Sequence, residues 1–291
     1  MTDDATRAPY VAALPMYALP GTATAHETLW QALRGHIAAQ AQAVGGLDPE
    51  RLPAALSSGA PMALAQTPGL LLSQTCGYPY ATRLRGAVRL VATPVYDAPG
   101  CEGALYRSAI LVRVADPAAD LADCAGYRPA INEAGSQSGH HALRAALAGA
   151  GCPAGHLGEA LETGSHAASA AAVLAGRADV AALDCVTWAL LQQAAPERMA
   201  GLRRIGWGPA APGLPLVTAL PEAVLTLRAA LIATLHDGAA AAALARLRIK
   251  GIEILDDDDY GYLPRMAAAA TEAGHPPMLR ADDPPAVAQK S

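Results

Sequence analysis

Within residues 128–193 the chain reads Arg128-Pro129-Ala130-Ile131, then Ser136-Gln137-Ser138-Gly139, then Thr163-Gly164-Ser165-His166, then Val180-Ala181-Ala182-Leu183-Asp184. The apolar runs 128–131 and 180–183 have strand length. Each hydroxyl-and-glycine group leads directly into an Ala/Leu-rich run of helical length, 139–150 and 166–176, and Gly176 is placed to end the second. With a further strand over 157–162 and a helix over 186–193, the block alternates strand and helix. That rhythm predicts an α/β fold built on a mostly parallel sheet with helices on both faces.

Outward from this block the same reading predicts strands at 11–15, 70–74, 90–96 and 109–114. It predicts helices at 26–43, 222–245 and 263–273, the last with Pro264 in its first turn and Gly274 past its end. Asp97-Ala98-Pro99-Gly100 reads as a turn, 206–216 as a Gly/Pro linker, 256–259 as an acidic loop, and the residues after Pro276 as a loose tail. Composition breaks at 97–103 and 206–215 flank the middle block. They predict a discontinuous layout, with 1–99 plus 212–291 as one lobe and 100–211 as the other. Ligands of open α/β sheets bind beyond the carboxyl ends of strands, which places the expected site in a cleft between the lobes.

Composition narrows the function classes. The 291 residues are 52% hydrophobic and 16% charged, a globular balance, and with no Phe the core has to be built from Ala, Leu, Val and Ile. Net charge is −5 and no basic cluster is present, so no nucleic-acid partner is expected. No unbroken apolar stretch reaches membrane-spanning length, so no membrane insertion is expected. The first residues, Met1 to Arg7, lack the apolar segment of a secretory signal, from which a chain that is not exported is expected. The five cysteines show no zinc spacing, and their odd number argues against a disulfide framework; a single Cys76–Cys101 bridge fits their places after predicted strands. There is no GxSxG elbow, P-loop, GxGxxG fingerprint or metal motif, so no catalytic residue, cofactor or metal is expected.

A helix start carries unpaired N–H groups and the positive end of the dipole, which suits an oxyanion. Ser136 and Ser138 could donate hydroxyls to it, aided by the N–H groups of Ser138, Gly139 and His140, or Ser could serve as an ordinary N-cap. Gly139 allows close backbone approach. Ser165 and His166 open the second helix, and the His166 pKa would rise beside a dianion. His140 and His141, adjacent on a helix, make a poor metal pair. Asp184 either caps the helix from Val186 or accepts a hydrogen bond from a protonated or amine-bearing ligand. Tyr17, Thr75 and Tyr78 fall at strand ends, where Tyr hydroxyls complete an oxyanion shell or the rings simply pack. Tyr96 and Asp97 sit near the first crossing.

Taken in order, these pieces resemble the phosphate/phosphite/phosphonate-binding solute-binding proteins of ABC transporters. The matching residues are Leu14-Pro15-Met16-Tyr17, Ser73-Gln74-Thr75-Cys76-Gly77-Tyr78-Pro79, Thr93-Pro94-Val95-Tyr96-Asp97, Tyr106-Arg107-Ser108 and Ala130-Ile131-Asn132-Glu133. They continue through the two helix starts to 176–184 and Pro212-Gly213-Leu214-Pro215, and the likeness covers 10–275. It implies a two-lobed periplasmic-binding-protein fold of type 2 that closes on an oxyanion. The implied ligand set is Ser136, Gln137, Ser138, Gly139, Thr163, Ser165, His166 and Asp184, with Tyr17, Thr75, Tyr78 and Tyr96 from the other lobe. Gln137 stands where relatives often carry a smaller Thr. The resemblance also implies a monomer in the periplasm, a small oxyanion ligand and an ABC permease as partner. The alternative is a cytosolic enzyme on the same fold acting on a small anionic metabolite, with His166 and Asp184 as base and orienting group. An interaction module of a larger complex is a weaker third reading.

Overall fold

Two five-stranded sheets organise the chain, each serving its own unit, in a computed structural model that describes residues 8–279. The first unit combines the residues up to Asp97 with Pro212–Tyr260; the second combines Ala98–Ala211 with the residues from Gly261 on. In the first, the strands run Val11–Ala13, Leu70–Gln74, Leu216–Thr218, Arg89–Tyr96, Ile249–Glu253. Helix Ala23–Val44 packs on Val224–Leu235 and Ala241–Arg246. It buries Leu29, Trp30, Leu33, Ile37 and Ala41, the three-and-four spacing of one helix face. Trp30 fills the centre that no Phe is present to fill, and its indole N–H donates to the Pro53 carbonyl at 3.1 Å.

In the second unit the strands run Leu161–Glu162, Pro129–Ile131, Val180–Asp184, Ser108–Arg113, Leu202–Trp207. Ile110, Val112, Val180 and Ala182 face Leu143 and Leu147 of helix Ala142–Gly149 across a dry core. Both sheets are mixed where a mostly parallel pairing is expected. Pro129–Ile131 is parallel to its two neighbours and Val11–Ala13 to Leu70–Gln74, but the other pairings within these two sheets are antiparallel. The reason lies in connectivity. Leu216–Thr218 inserts in the reverse sense between the earlier strands Leu70–Gln74 and Arg89–Tyr96, while Ser108–Arg113 is flanked in the reverse sense by two later strands, Val180–Asp184 and Leu202–Trp207.

Other departures have local causes. The expected single helix over 222–245 is two, because Asp237 turns the chain: its Oδ1 accepts the Ala239 N–H at 2.8 Å and its carbonyl the Ala240 N–H at 3.0 Å. The acidic loop at 256–259 becomes the short helix Asp257–Tyr260, since Asp256 Oδ1 caps it by accepting the N–H groups of Asp258 and Asp259. The supposed linker opens inside a strand, Leu202–Trp207, that pairs with Ser108–Arg113. Ile249–Glu253, an edge strand, has no apolar alternation to announce it.

The last helix, Tyr262–Glu272, belongs to the second unit and not to the first, as the 212–291 grouping has it. Its buried residues Leu263, Met266, Ala267 and Ala270 pack on Ala142–Gly149. Arg144, buried there, donates to the Ala267 and His275 carbonyls and to Thr271 Oγ1. The tail expected after Pro276 lies outside the described residues from residue 280 on.

Asp179 ties three strand ends together. Its Oδ2 accepts the N–H of Arg128 at 3.1 Å and Arg128 Nε at 3.0 Å, and its Oδ1 accepts Arg113 Nη2 at 3.2 Å. The Arg128 bonds hold its carboxyl down at about 2. A depressed carboxyl contributes stability above its unfolded pKa and loses it as pH falls through the folded value. Asp179→Asn is therefore expected to cost about 1–2 kcal/mol at pH 7 and to flatten the loss of stability between about pH 4 and pH 2. Urea denaturation of both proteins at pH 7 and pH 3 checks this.

Candidate anion site

Strand Pro129–Ile131 and the segment Leu161–Glu162 lie parallel, with Ala130 opposite Leu161 and Ile131 opposite Glu162. The pairing continues past the strands: Thr163 N–H donates to the Ile131 carbonyl at 2.9 Å and Gly164 N–H to the Asn132 carbonyl at 2.8 Å. Two loops thus leave the same end of the sheet side by side. Each turns into a helix, so the two helix starts singled out in the sequence are brought together.

The first helix begins with a wide π-turn over Gln137–His141 and continues as Ala142–Gly149. Ser136 is its N-cap, its Oγ accepting the Gly139 N–H at 3.0 Å. The Ser136 carbonyl takes the N–H groups of His140 and His141 at 3.3 and 3.1 Å. The donors expected at Gly139 and His140 are therefore used internally, since the π-turn closes onto Ser136. The N–H groups of Gln137 and Ser138 have no protein acceptor among the described residues, as at any helix start. The second helix, His166–Leu174, is capped by Ser165 Oγ, which accepts the Ala168 N–H at 3.2 Å.

Ser138 Oγ and His166 Nε2 join the two starts at 2.7 Å. Gly139 makes that approach feasible: a Cβ there would stand 1.8 Å from Asn132 Oδ1 and 3.2 Å from His166 Cε1. Asn132 Oδ1 and His166 Nδ1 are buried without hydrogen-bond partners, as is Gln137 Oε1. Asn132 is a residue the sequence reading passed over. Its signal was present, a polar residue directly after an apolar run, at the carboxyl end of a strand.

Burial lowers the His166 pKa to about 4, so its ring is neutral at pH 7. The neighbouring histidines are neutral for the same leading reason. His140, held down at about 4, donates from Nδ1 to the Ala134 carbonyl and accepts the Met278 N–H at Nε2. His141, pushed to about 3, accepts from Arg144 at Nδ1. Their rings stack at 5.1 Å, and the described residues hold no cluster of His, Cys, Asp and Glu fit for a metal.

The remaining candidates divide. Thr163 Oγ1 is engaged with Ser169 Oγ at 2.7 Å and the Ile131 carbonyl at 3.2 Å, a brace between strand and helix. Asp184 is the N-cap of helix Cys185–Ala194, its Oδ1 accepting the N–H groups of Val186 and Thr187 at 2.7 and 3.1 Å. In the first unit Tyr17 and Tyr96 are buried and meet edge to face at 5.1 Å. Gln74, also passed over, donates from Nε2 to Tyr96 Oη and to the Leu214 carbonyl. Thr75 directly follows Leu70–Gln74, its N–H donating to the Pro215 carbonyl at 3.1 Å, and half-buried Tyr78 lies in the short helix Gly77–Pro79.

Residues 70–260 match the family described as "ABC transporter, phosphonate, periplasmic substrate-binding protein". The chain belongs to this family. Members are substrate-binding proteins of transport and not enzymes, which removes the alternative of a cytosolic enzyme. Solved structures agree on a type 2 periplasmic-binding-protein fold. A binding-protein component of an ABC phosphonate transporter from Pseudomonas aeruginosa shares 17% identity at a TM-score of 0.71, over 91% of this chain and 88% of its own. PhnD1 from Prochlorococcus marinus, in complex with methylphosphonate, shares 14% at 0.69, over 91% and 99%. The alkanesulfonate-binding protein SsuA of Xanthomonas axonopodis pv. citri, bound to MOPS, shares 16% at 0.58, over 94% and 96%. No curated protein sequence matches the chain significantly. Among the described residues of this phosphonate-family protein, no helix is long and apolar enough to cross a membrane.

A histidine whose folded pKa lies below its unfolded value adds stability above the unfolded pKa and loses it as pH falls toward the folded one. The His166 ring protons are accordingly expected to stay unshifted in NMR from pH 8 to pH 5.5 and to titrate near 4. A midpoint above 6 would show that burial does not govern this ring.

Proposed function

We propose that this ABC-type substrate-binding protein takes a small tetrahedral phosphorus oxyanion, phosphonate, phosphite or phosphate, at the paired helix starts of its second unit. The observation that carries the reading is the 2.7 Å link between Ser138 and His166, which gathers two helix N-termini around one point. There the anion meets the Ser138 hydroxyl, the imidazole of His166 and the N–H groups of Gln137 and Ser138, together with two dipole ends. With His166 neutral, recognition runs through hydrogen bonds and dipoles.

Phosphorus is favoured over sulfur by an acceptor. Asn132 Oδ1, buried beside Gly139 and His166, has no donor among the described residues. A monoprotonated phosphonate or phosphate carries a P–OH that can donate to it, while a sulfonate carries none at neutral pH. The physiological setting that goes with this reading is delivery of the anion, as a monomer in the periplasm, to an ABC permease.

Calorimetric titration with methylphosphonate, phosphite, phosphate and methanesulfonate is the test. Ser138→Ala is expected to weaken the preferred phosphorus oxyanion by about 10- to 100-fold, or about 1–3 kcal/mol. Affinity unchanged in that variant removes Ser138 from the site. Methanesulfonate binding as tightly as methylphosphonate overturns the role given to Asn132.

A further inference from the structure

We propose that Cys101 and Cys185 form a disulfide when the protein meets an oxidising thiol pool. None of the five cysteines is disulfide-bonded in this structure, so the Cys76–Cys101 bridge compatible with the sequence is not formed. Instead Cys101 Sγ lies 3.4 Å from Cys185 Sγ, across 84 residues of sequence. Cys185 opens the helix capped by Asp184, directly after a strand that is buried throughout.

The approach is built into the backbone. The turn 98–101 closes through a hydrogen bond from Cys101 N–H to the Ala98 carbonyl at 3.0 Å. Gly100 within it has φ +102°, and a Cβ there would lie 2.7 Å from the Trp207 ring and 3.1 Å from Cys185 Cβ. A side chain at this position would push the turn, and Cys101 with it, away from Cys185. On the opposite side, Cys185 N–H is held by the Arg107 carbonyl at 3.1 Å, which fixes it to the start of strand Ser108–Arg113. Both sulfur positions are therefore set by packing and not by side-chain chance.

The two thiols differ in access. Cys185 is buried, and its hydrogen bond with Cys101, its burial and the Asp184 carboxylate all push its pKa up. Cys101 is only half-buried, so it meets the oxidant first. With a small-molecule disulfide such as oxidised glutathione, Cys101 gives its proton to solvent and its thiolate attacks one sulfur; the first glutathione thiolate leaves and takes up a proton. Cys185 then gives its proton to solvent and attacks Cys101 Sγ, and the second glutathione thiolate leaves. Two protein thiols are oxidised and one disulfide is reduced to two thiols, so the exchange balances. The new bond closes a long loop, which restricts the unfolded chain. It also anchors the first turn of the helix whose N-cap is Asp184. A periplasmic setting, the one its family name describes, is a compartment where such bonds form and persist.

The test uses the full chain equilibrated in oxidised glutathione and then unfolded, alkylated and mapped by mass spectrometry. The expected result is alkylation of three of the five cysteines, with the Cys101 and Cys185 peptides linked. The melting temperature should rise by about 5 °C or more over the reduced protein. Cys101→Ser should abolish both the link and the rise. Cys185→Ala should leave a stable glutathione adduct on Cys101, a readout that does not depend on melting behaviour. Five alkylated cysteines, a link between any other pair, or a glutathione adduct persisting on Cys101 of the unaltered chain overturns the proposal.

Discussion

Strand Pro129–Ile131 is hydrogen-bonded in parallel on both sides, to Leu161–Glu162 and to Val180–Asp184, and the proposed anion site depends on that arrangement. Parallel neighbours end at the same edge of a sheet, so the loops that follow them emerge together. Here the ladder runs on for two more residues, through Thr163 to Ile131 and Gly164 to Asn132, before each chain turns into its helix. The meeting of Ser138 with His166 is a consequence of that registry. Glycine at 139 removes the one side chain that would stand between Asn132 and the second helix start.

The electrostatics of the site follow from burial. His140, His141 and His166 are desolvated and held neutral, His140 using both ring nitrogens on Ala134 and Met278 and His141 its Nδ1 on Arg144. Arg144, the buried cation nearest to them in sequence, is engaged with His141 and the last helix and serves as a structural pin. At the proposed site a ligand would thus face a set of neutral donors and aligned peptide dipoles. Such a set costs little reorganisation when an anion arrives, because the donors are already fixed by the helices that carry them.

Much of this was legible in the chain. The helix starts at Ser136 and Ser165 show themselves by hydroxyls before Ala-rich runs, because N-caps are chosen by local hydrogen bonding. The strands read at 128–131 and 180–183 show themselves by short apolar runs. Other features had no local signature. Leu202–Trp207 carries two arginines in six residues, and it is a strand because Ser108–Arg113 offers it a partner. The helix Tyr262–Glu272 reads correctly as a helix, but its allegiance to the second unit is decided by Arg144 and the apolar face of Ala142–Gly149, both far away in sequence. Tyr17 and Tyr96, singled out by position, meet edge to face in the first unit, a contact between residues distant in sequence that no local pattern announces.

Sequence alone determined what is governed by neighbours along the chain: helix starts and stops, apolar strand runs, the α/β class, and the family likeness carried by ordered short motifs. Only the tertiary structure decided what depends on groups distant in sequence. Those decisions are the mixed strand directions, the brace made by Thr163 and the choice of Cys185 as the neighbour of Cys101. The physical reason is range. Capping and periodicity act within a turn or two of the chain, whereas pairing, burial and the desolvation that neutralises a histidine are set by whichever residues folding brings alongside.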